Sequence, residues 1–110
     1  MTAARASGPA RHERAAIDEA GFHAARAADR LLADARERGV ERWIRFLEPL
    51  PDQLRDDPIP DLRRTATRAR AAYGPKDSIR DSMPAALTEP FLDALDRLLR
   101  ELARREAAGG

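Results

Sequence analysis

Cysteine is absent from this 110-residue chain. That excludes disulfides, thiolate metal sites and cysteine nucleophiles together. Lysine is nearly absent: one residue, Lys76, stands against nineteen arginines. With twenty-three alanines, this is the composition expected of a bacterial genome rich in G and C. Long hydrophobic runs are missing, and no stretch approaches the ~18 apolar residues of a membrane span. No apolar leader opens the chain, which together with the lack of cysteine fits a cytoplasmic protein. Nothing matches a nucleophile elbow, a phosphate loop, a dinucleotide fingerprint or a zinc finger. No cofactor or catalytic residue is therefore expected. Net charge is only +1, so there is no overall drive toward nucleic acid or anionic membrane.

Large apolar side chains are also scarce. Leu, Ile, Val and Phe number twenty, and aromatics make up 5% of the chain. A buried leucine contributes about 2 kcal/mol and an alanine far less. An alanine-built bundle of this size is a candidate for gaining stability by self-association.

What the chain does have is proline in one place: seven of its eight prolines fall between Pro49 and Pro90. Proline interrupts long helices and central strands alike. The pattern predicts an all-α helical bundle of four principal helices, with long terminal arms around a short-jointed middle. Residues 1–8 read as a disordered tail, residues 9–106 as one domain, and residues 107–110 as a frayed end.

In the first arm Ile17, Ala20, Ala24, Ala28, Leu31 and Ala35 recur at steps of three and four, one helical face. Gly39 suits the left-handed residue that ends a helix. Gly21 is the one place where the arm is expected to break, if it breaks at all. Val40, Trp43, Ile44 and Leu47 predict a short second helix, ended by Glu48-Pro49. Residues 50–57 read as a loop with one turn at 51–54. A third helix is expected from an Asp57 cap, with the stripe Leu62, Ala66, Ala69 and Tyr73, stopped by Gly74-Pro75. In the last, Thr88 reads as the cap, Pro90 as first-turn proline, and Leu87 with Leu92 as a hydrophobic staple. Asp93/Arg97, Asp96/Arg100 and Glu101/Arg105 are spaced for pairing along its wet side.

Three constellations have chemical interest. His12, Glu19 and His23 share a helical face, as metal ligands can, but that face also carries Arg26 and Arg30 and lies opposite the apolar stripe. A solvated face explains it more simply. Between residues 61 and 81, Arg63, Arg64, Arg68, Arg70, Lys76 and Arg80 oppose only three carboxylates, Asp61, Asp77 and Asp81. Exposed arginines hold phosphates, yet the acidic segment 48–57 is close enough in sequence to neutralise them. The turn 74–84 gathers Lys76, Ser78 and Ser82, with Asp77 or Ser78 as a simple cap.

The resulting expectation is an interaction or regulatory module, acting as a homodimer or on an acidic protein partner. Ala20, Phe22, Ala24 and Ala28 are the expected interface, with two first helices packed closely. The alternatives are a nucleic-acid binder using the basic helix 61–73, and a small helical enzyme or ligand binder with a polar pocket near Tyr73, Lys76 and Arg80.

Overall fold

The computed structural model describes residues 8–109, and the side chains of residues 14–108. Apart from Gly8, the expected tail lies outside the described residues. Five α-helices follow in order: α1 (Gly8–Arg38), α2 (Glu41–Leu47), α3 (Leu50–Asp56), α4 (Ile59–Arg70) and α5 (Ala85–Gly109). Two single 3-10 turns, Ala71–Tyr73 and Ile79–Asp81, join α4 to α5. The all-α bundle and its four principal helices form as expected, and no strand occurs among the described residues.

The long arms are the frame. α1 packs mainly on α5, with α3 across α1 and α4 against α5. The molecule measures 53 × 24 × 21 Å, its long axis set by the 31 residues of α1. The predicted stripe of α1 is the core: Ile17, Ala20, Ala24, Ala28, Leu31 and Ala35 are all buried. Opposite them, Phe91, Leu95, Leu98 and Leu102 of α5 are buried too. Small residues on α1 face large ones on α5, so the two helices interdigitate without a bulky core on both sides.

α1 does not break at Gly21. It runs through it and ends at Gly39, whose φ is +69°. The Gly39 N–H donates to the Arg36 carbonyl and the Val40 N–H to the Ala35 carbonyl. That pair of bonds is the Schellman closure, which requires the left-handed residue.

The middle of the chain departs from expectation in three places. Residues 50–56 form a two-turn helix rather than a loop, because Leu50, Pro51 and Leu54 are buried against the bundle. Tertiary burial sustains a helix too short to persist alone. α4 starts at Ile59, after an extended Pro58. Asp57 is not its cap: its carboxylate accepts the Thr65 hydroxyl at 2.8 Å. α5 starts at Ala85, three residues before the expected cap. The Pro84 carbonyl accepts from Leu87 and Thr88, while Thr88 itself is fully buried. Pro90 therefore lies inside α5. The carbonyl it leaves without its usual donor belongs to exposed Ala86. At the other end α5 continues through residues 107–109, past the boundary expected at 106.

Candidate functional site

The basic residues singled out in the sequence are mostly spoken for. Arg63 pairs with Glu106, and Arg70 with Asp96. Arg64 lies 3.8 Å from Asp61. Arg80 grips both Glu89 oxygens at 2.8 Å through Nε and Nη2. The neutralising carboxylates come chiefly from α5, not from segment 48–57. Within that segment Glu48 turns to Arg36 and Asp52 to Arg55. The helix spacings expected on α5 are likewise overridden: Arg97 reaches Glu19 on α1 at 3.4 Å, and Glu101 pairs with Arg104. Carboxylates on a facing helix compete successfully with those one turn away, because exposed pairs of either kind differ by only tenths of a kcal/mol. Along helix 61–73, Arg63, Arg64 and Arg70 are thus held by the chain's own carboxylates.

Two expected residues escape this neutralisation. Arg68 donates only to the neutral Gln53 amide oxygen, at 3.0 Å. Lys76 has no ion-pair partner among the described residues. Both line a groove of about 390 Å³ between α2 and the end of α4, together with Arg42, Trp43, Phe46 and Asp77. Ala71 and Ala72 complete its lining. Arg42 also has no carboxylate partner among the described residues. Its guanidinium stacks 4.7 Å above the Trp43 ring, and its Nη2 makes a long 3.5 Å contact to the Asp77 carbonyl. Trp43 and Phe46 meet edge to face, with centroids 5.5 Å apart. Asp77 adopts a left-handed φ of +52°, a conformation its short polar side chain tolerates.

Charge separates this groove from its neighbours. One depression near the N-terminal half of α1 sets Arg14 and Arg105 against Asp18 and Asp57. Another sets Arg30 and Arg36 against Asp34 and Glu37. A third holds Arg63 and Arg105 with Glu106. The groove beside Trp43 carries three cations and one carboxylate, and it alone of these four has an aromatic wall. Lys76 and Arg68 were legible as basic residues; Arg42, Trp43 and Phe46 were not singled out. Trp43 lies on the predicted apolar face of the second helix and is 4% exposed.

The far ends of the 74–78 segment are pinned to α5. The Tyr73 hydroxyl donates to the Thr88 carbonyl, and the Arg80 guanidinium, besides holding Glu89, lies 5.3 Å from the Tyr73 ring centroid. Ser78 caps the following turn by accepting from the Arg80 N–H at 3.1 Å. Tyr73 and Arg80 are thus consumed in a latch, and the polar pocket expected near Tyr73, Lys76 and Arg80 is not formed by them. Burial, followed by the Glu89 charge, raises the Tyr73 hydroxyl well above its ordinary range. The Arg80 hydrogen bonds pull Glu89 down from 4.5 to about 2.

That depression has a consequence in acid. A carboxyl held below its unfolded value stabilises the fold above that value and loses the contribution as protons bind. The Glu89 share of stability is complete above pH 4.5 and is lost as pH falls toward about 2. In Glu89→Gln the melting temperature should be lower than wild type at pH 7, and the difference should close as pH falls through this window. Melting curves read by circular dichroism between pH 7 and pH 2 check it. A constant offset across the whole range would show that the latch contributes no titrating stabilisation.

The other sequence candidates sit elsewhere. Ala20, Ala24 and Ala28 are fully buried in the chain's own core. Close packing of two first helices cannot use them, because α1 spends its small residues inside one molecule. Phe22, 49% exposed, is what remains of that expected interface. Glu19 turns to Arg97 and His23 is exposed, while the His12 side chain lies outside the described residues. Comparison with known proteins adds no relative: no family model matches the chain, and no curated protein and no solved structure matches it.

Proposed function

We propose that this chain is an interaction module that docks an acidic segment of a partner protein in the groove between α2 and the 74–78 turn. The observation that carries this reading is the convergence of Arg42, Arg68 and Lys76 on one groove without a carboxylate partner for any of them. Many arginines elsewhere, Arg63, Arg70 and Arg80 among them, pair with the chain's own carboxylates. An excess of two positive charges beside apolar Phe46 and Ala71 matches a peptide with acidic side chains and one apolar anchor. Charge of this kind contributes orientation and encounter rate, while the apolar wall supplies buried area.

Trp43 is the only tryptophan, so its emission reports on the groove directly. Titrating the full chain with a short peptide of Asp, Glu and Leu should give a saturable change in that emission. Arg68→Ala and Lys76→Ala should each weaken binding about five- to tenfold, or about 1–1.4 kcal/mol. Raising salt from low to about 0.5 M should weaken it further, since these charges are exposed. An emission unchanged by the peptide, or a response indifferent to both substitutions, would remove the groove from consideration. The same titration with duplex DNA addresses the nucleic-acid alternative: tight DNA binding that survives Arg68→Ala and Lys76→Ala would overturn the docking reading.

A further inference from the structure

We propose that the groove's preferred occupant is a phosphate monoester on a partner's side chain, a phosphorylated serine or threonine flanked by an apolar residue. This deepens the docking reading above and rests on it.

The first argument is the count of donors against acceptors. A guanidinium carries five N–H donors and an ammonium three. Arg68 commits one nitrogen to Gln53, and Arg42 makes one long contact to the Asp77 carbonyl. The remaining donors of Arg42, Arg68 and Lys76 face a groove whose one anionic acceptor group is Asp77. An occupant that displaces water from these donors has to bring acceptors in number and close together. A carboxylate brings two oxygens, whereas a phosphate monoester brings three terminal ones.

Charge gives the same answer independently. The lining sums to three positive groups and one negative. A single carboxylate leaves about one positive charge uncompensated in the groove. A phosphate monoester, at about −1.5 to −2 near neutral pH, brings it close to balance. Paired guanidinium and ammonium donors also favour phosphate through charge-assisted, forked hydrogen bonds.

The walls decide the source of that phosphate. Phe46, Ala71 and Ala72 offer an apolar surface beside the cations, and the whole groove holds about 390 Å³. That space suits a phosphorylated side chain with one apolar neighbour of the same peptide. It does not suit a nucleic acid strand, which needs a run of phosphate contacts. The cations that would extend such a run, Arg63, Arg64 and Arg70, are already engaged by Glu106, Asp61 and Asp96.

The test uses the full chain, Trp43 emission and three peptides of one sequence, with phosphoserine, glutamate or serine at a single position next to leucine. The phosphopeptide should bind at least about tenfold more tightly than the glutamate peptide, and the serine peptide more weakly than either. Arg68→Ala and Lys76→Ala, both exposed positions, should shrink the phosphoserine preference to about twofold. Lowering the pH from 7.5 to 5.5 should weaken the phosphopeptide and leave the glutamate peptide unchanged, because the second phosphate proton returns near pH 6. Equal affinity for phosphoserine and glutamate overturns this inference and leaves the docking reading standing. Failure of all the acidic peptides overturns both. Inorganic phosphate binding as tightly as the phosphopeptide overturns the peptide as its source.

Discussion

Phe91→Ala should lower the unfolding free energy by about 3–5 kcal/mol. Phe91 is fully buried and is the bulkiest such side chain among the described residues. It sits in α5, the helix that supplies large residues to an interface where α1 supplies mostly alanine. Neighbouring alanines cannot reach into the space a lost ring leaves, so the cavity stays open. A domain of this size has about 5–15 kcal/mol in total, and an alanine-built core belongs near the lower end. Phe91→Ala should therefore leave a substantial unfolded fraction at 37 °C. Phe91→Leu, which refills most of the volume, should cost less than half as much. Urea unfolding followed by circular dichroism measures both. A loss below 1 kcal/mol in Phe91→Ala would mean that the α1–α5 interface collapses around the site after all.

Gly21→Ala should destabilise, although the helix rules say the opposite. At an exposed helix interior, replacing glycine by alanine gains up to about 1 kcal/mol. Here a Cβ on residue 21 would lie 2.8 Å from the Leu54 carbonyl oxygen of α3. That oxygen is backbone, so no side-chain rotation relieves the contact, and α3 has to move. Overpacking of this kind costs about 1–3 kcal/mol. The net loss should be about 1–2 kcal/mol, several degrees in melting temperature for a domain of this length. The reverse exchange at exposed Ala33 of the same helix makes a control, since Ala33→Gly should lose stability for propensity alone. A Gly21→Ala protein more stable than wild type would show that α3 shifts freely, and that glycine is not what sets its approach to α1.

This close approach accounts for much of the architecture. α3 has seven residues and would not hold a helix by itself. It forms with Leu50, Pro51 and Leu54 buried, and its Leu54 carbonyl sits over the gap that Gly21 leaves on α1. Position 21 reads in sequence as a weakness in a long helix. In the fold it is the seat for another one. The same displacement of meaning affects Ala20, Ala24 and Ala28. Small residues at helical spacing allow a close neighbour, and the neighbour here is the chain's own α5 and α3, which leaves no room for a second copy at that face.

The start of α5 illustrates a different competition. Thr88, Leu87, Leu92 and Pro90 form a good local pattern for a helix beginning at 88. Residues 85–87 are strong helix formers, and Leu87 packs against the core. Extending the helix three residues upstream places Thr88 and its neighbours where Tyr73 and Arg80 can latch on them. A tertiary latch outweighed the local cap.

The groove was legible only in halves. Arg68 and Lys76 belong to a basic stretch that stands out in the sequence. Arg42, Trp43 and Phe46 lie some thirty residues earlier, on a helix whose apolar content identifies it as core. Their meeting depends on the α3 excursion and on the latch that pins the 74–78 segment at both ends. The neutralisation of Arg63, Arg70 and Arg80 was equally hidden, because Glu106, Asp96 and Glu89 reach them from another helix.

By itself the sequence determined the helical class, the buried face of α1, the Gly39 stop and the joints at Pro49, Pro75 and Pro84. These follow from period, capping and backbone sterics, which act over a few residues. Only the tertiary structure decided that α1 runs unbroken over Gly21, that α3 is a helix, and which arginines keep a free charge. Those outcomes depend on what faces each residue from distant parts of the chain. Burial there exceeds the local preferences of about 1 kcal/mol on which a sequence reading rests, while the exposed ion pairs are settled by differences of a few tenths.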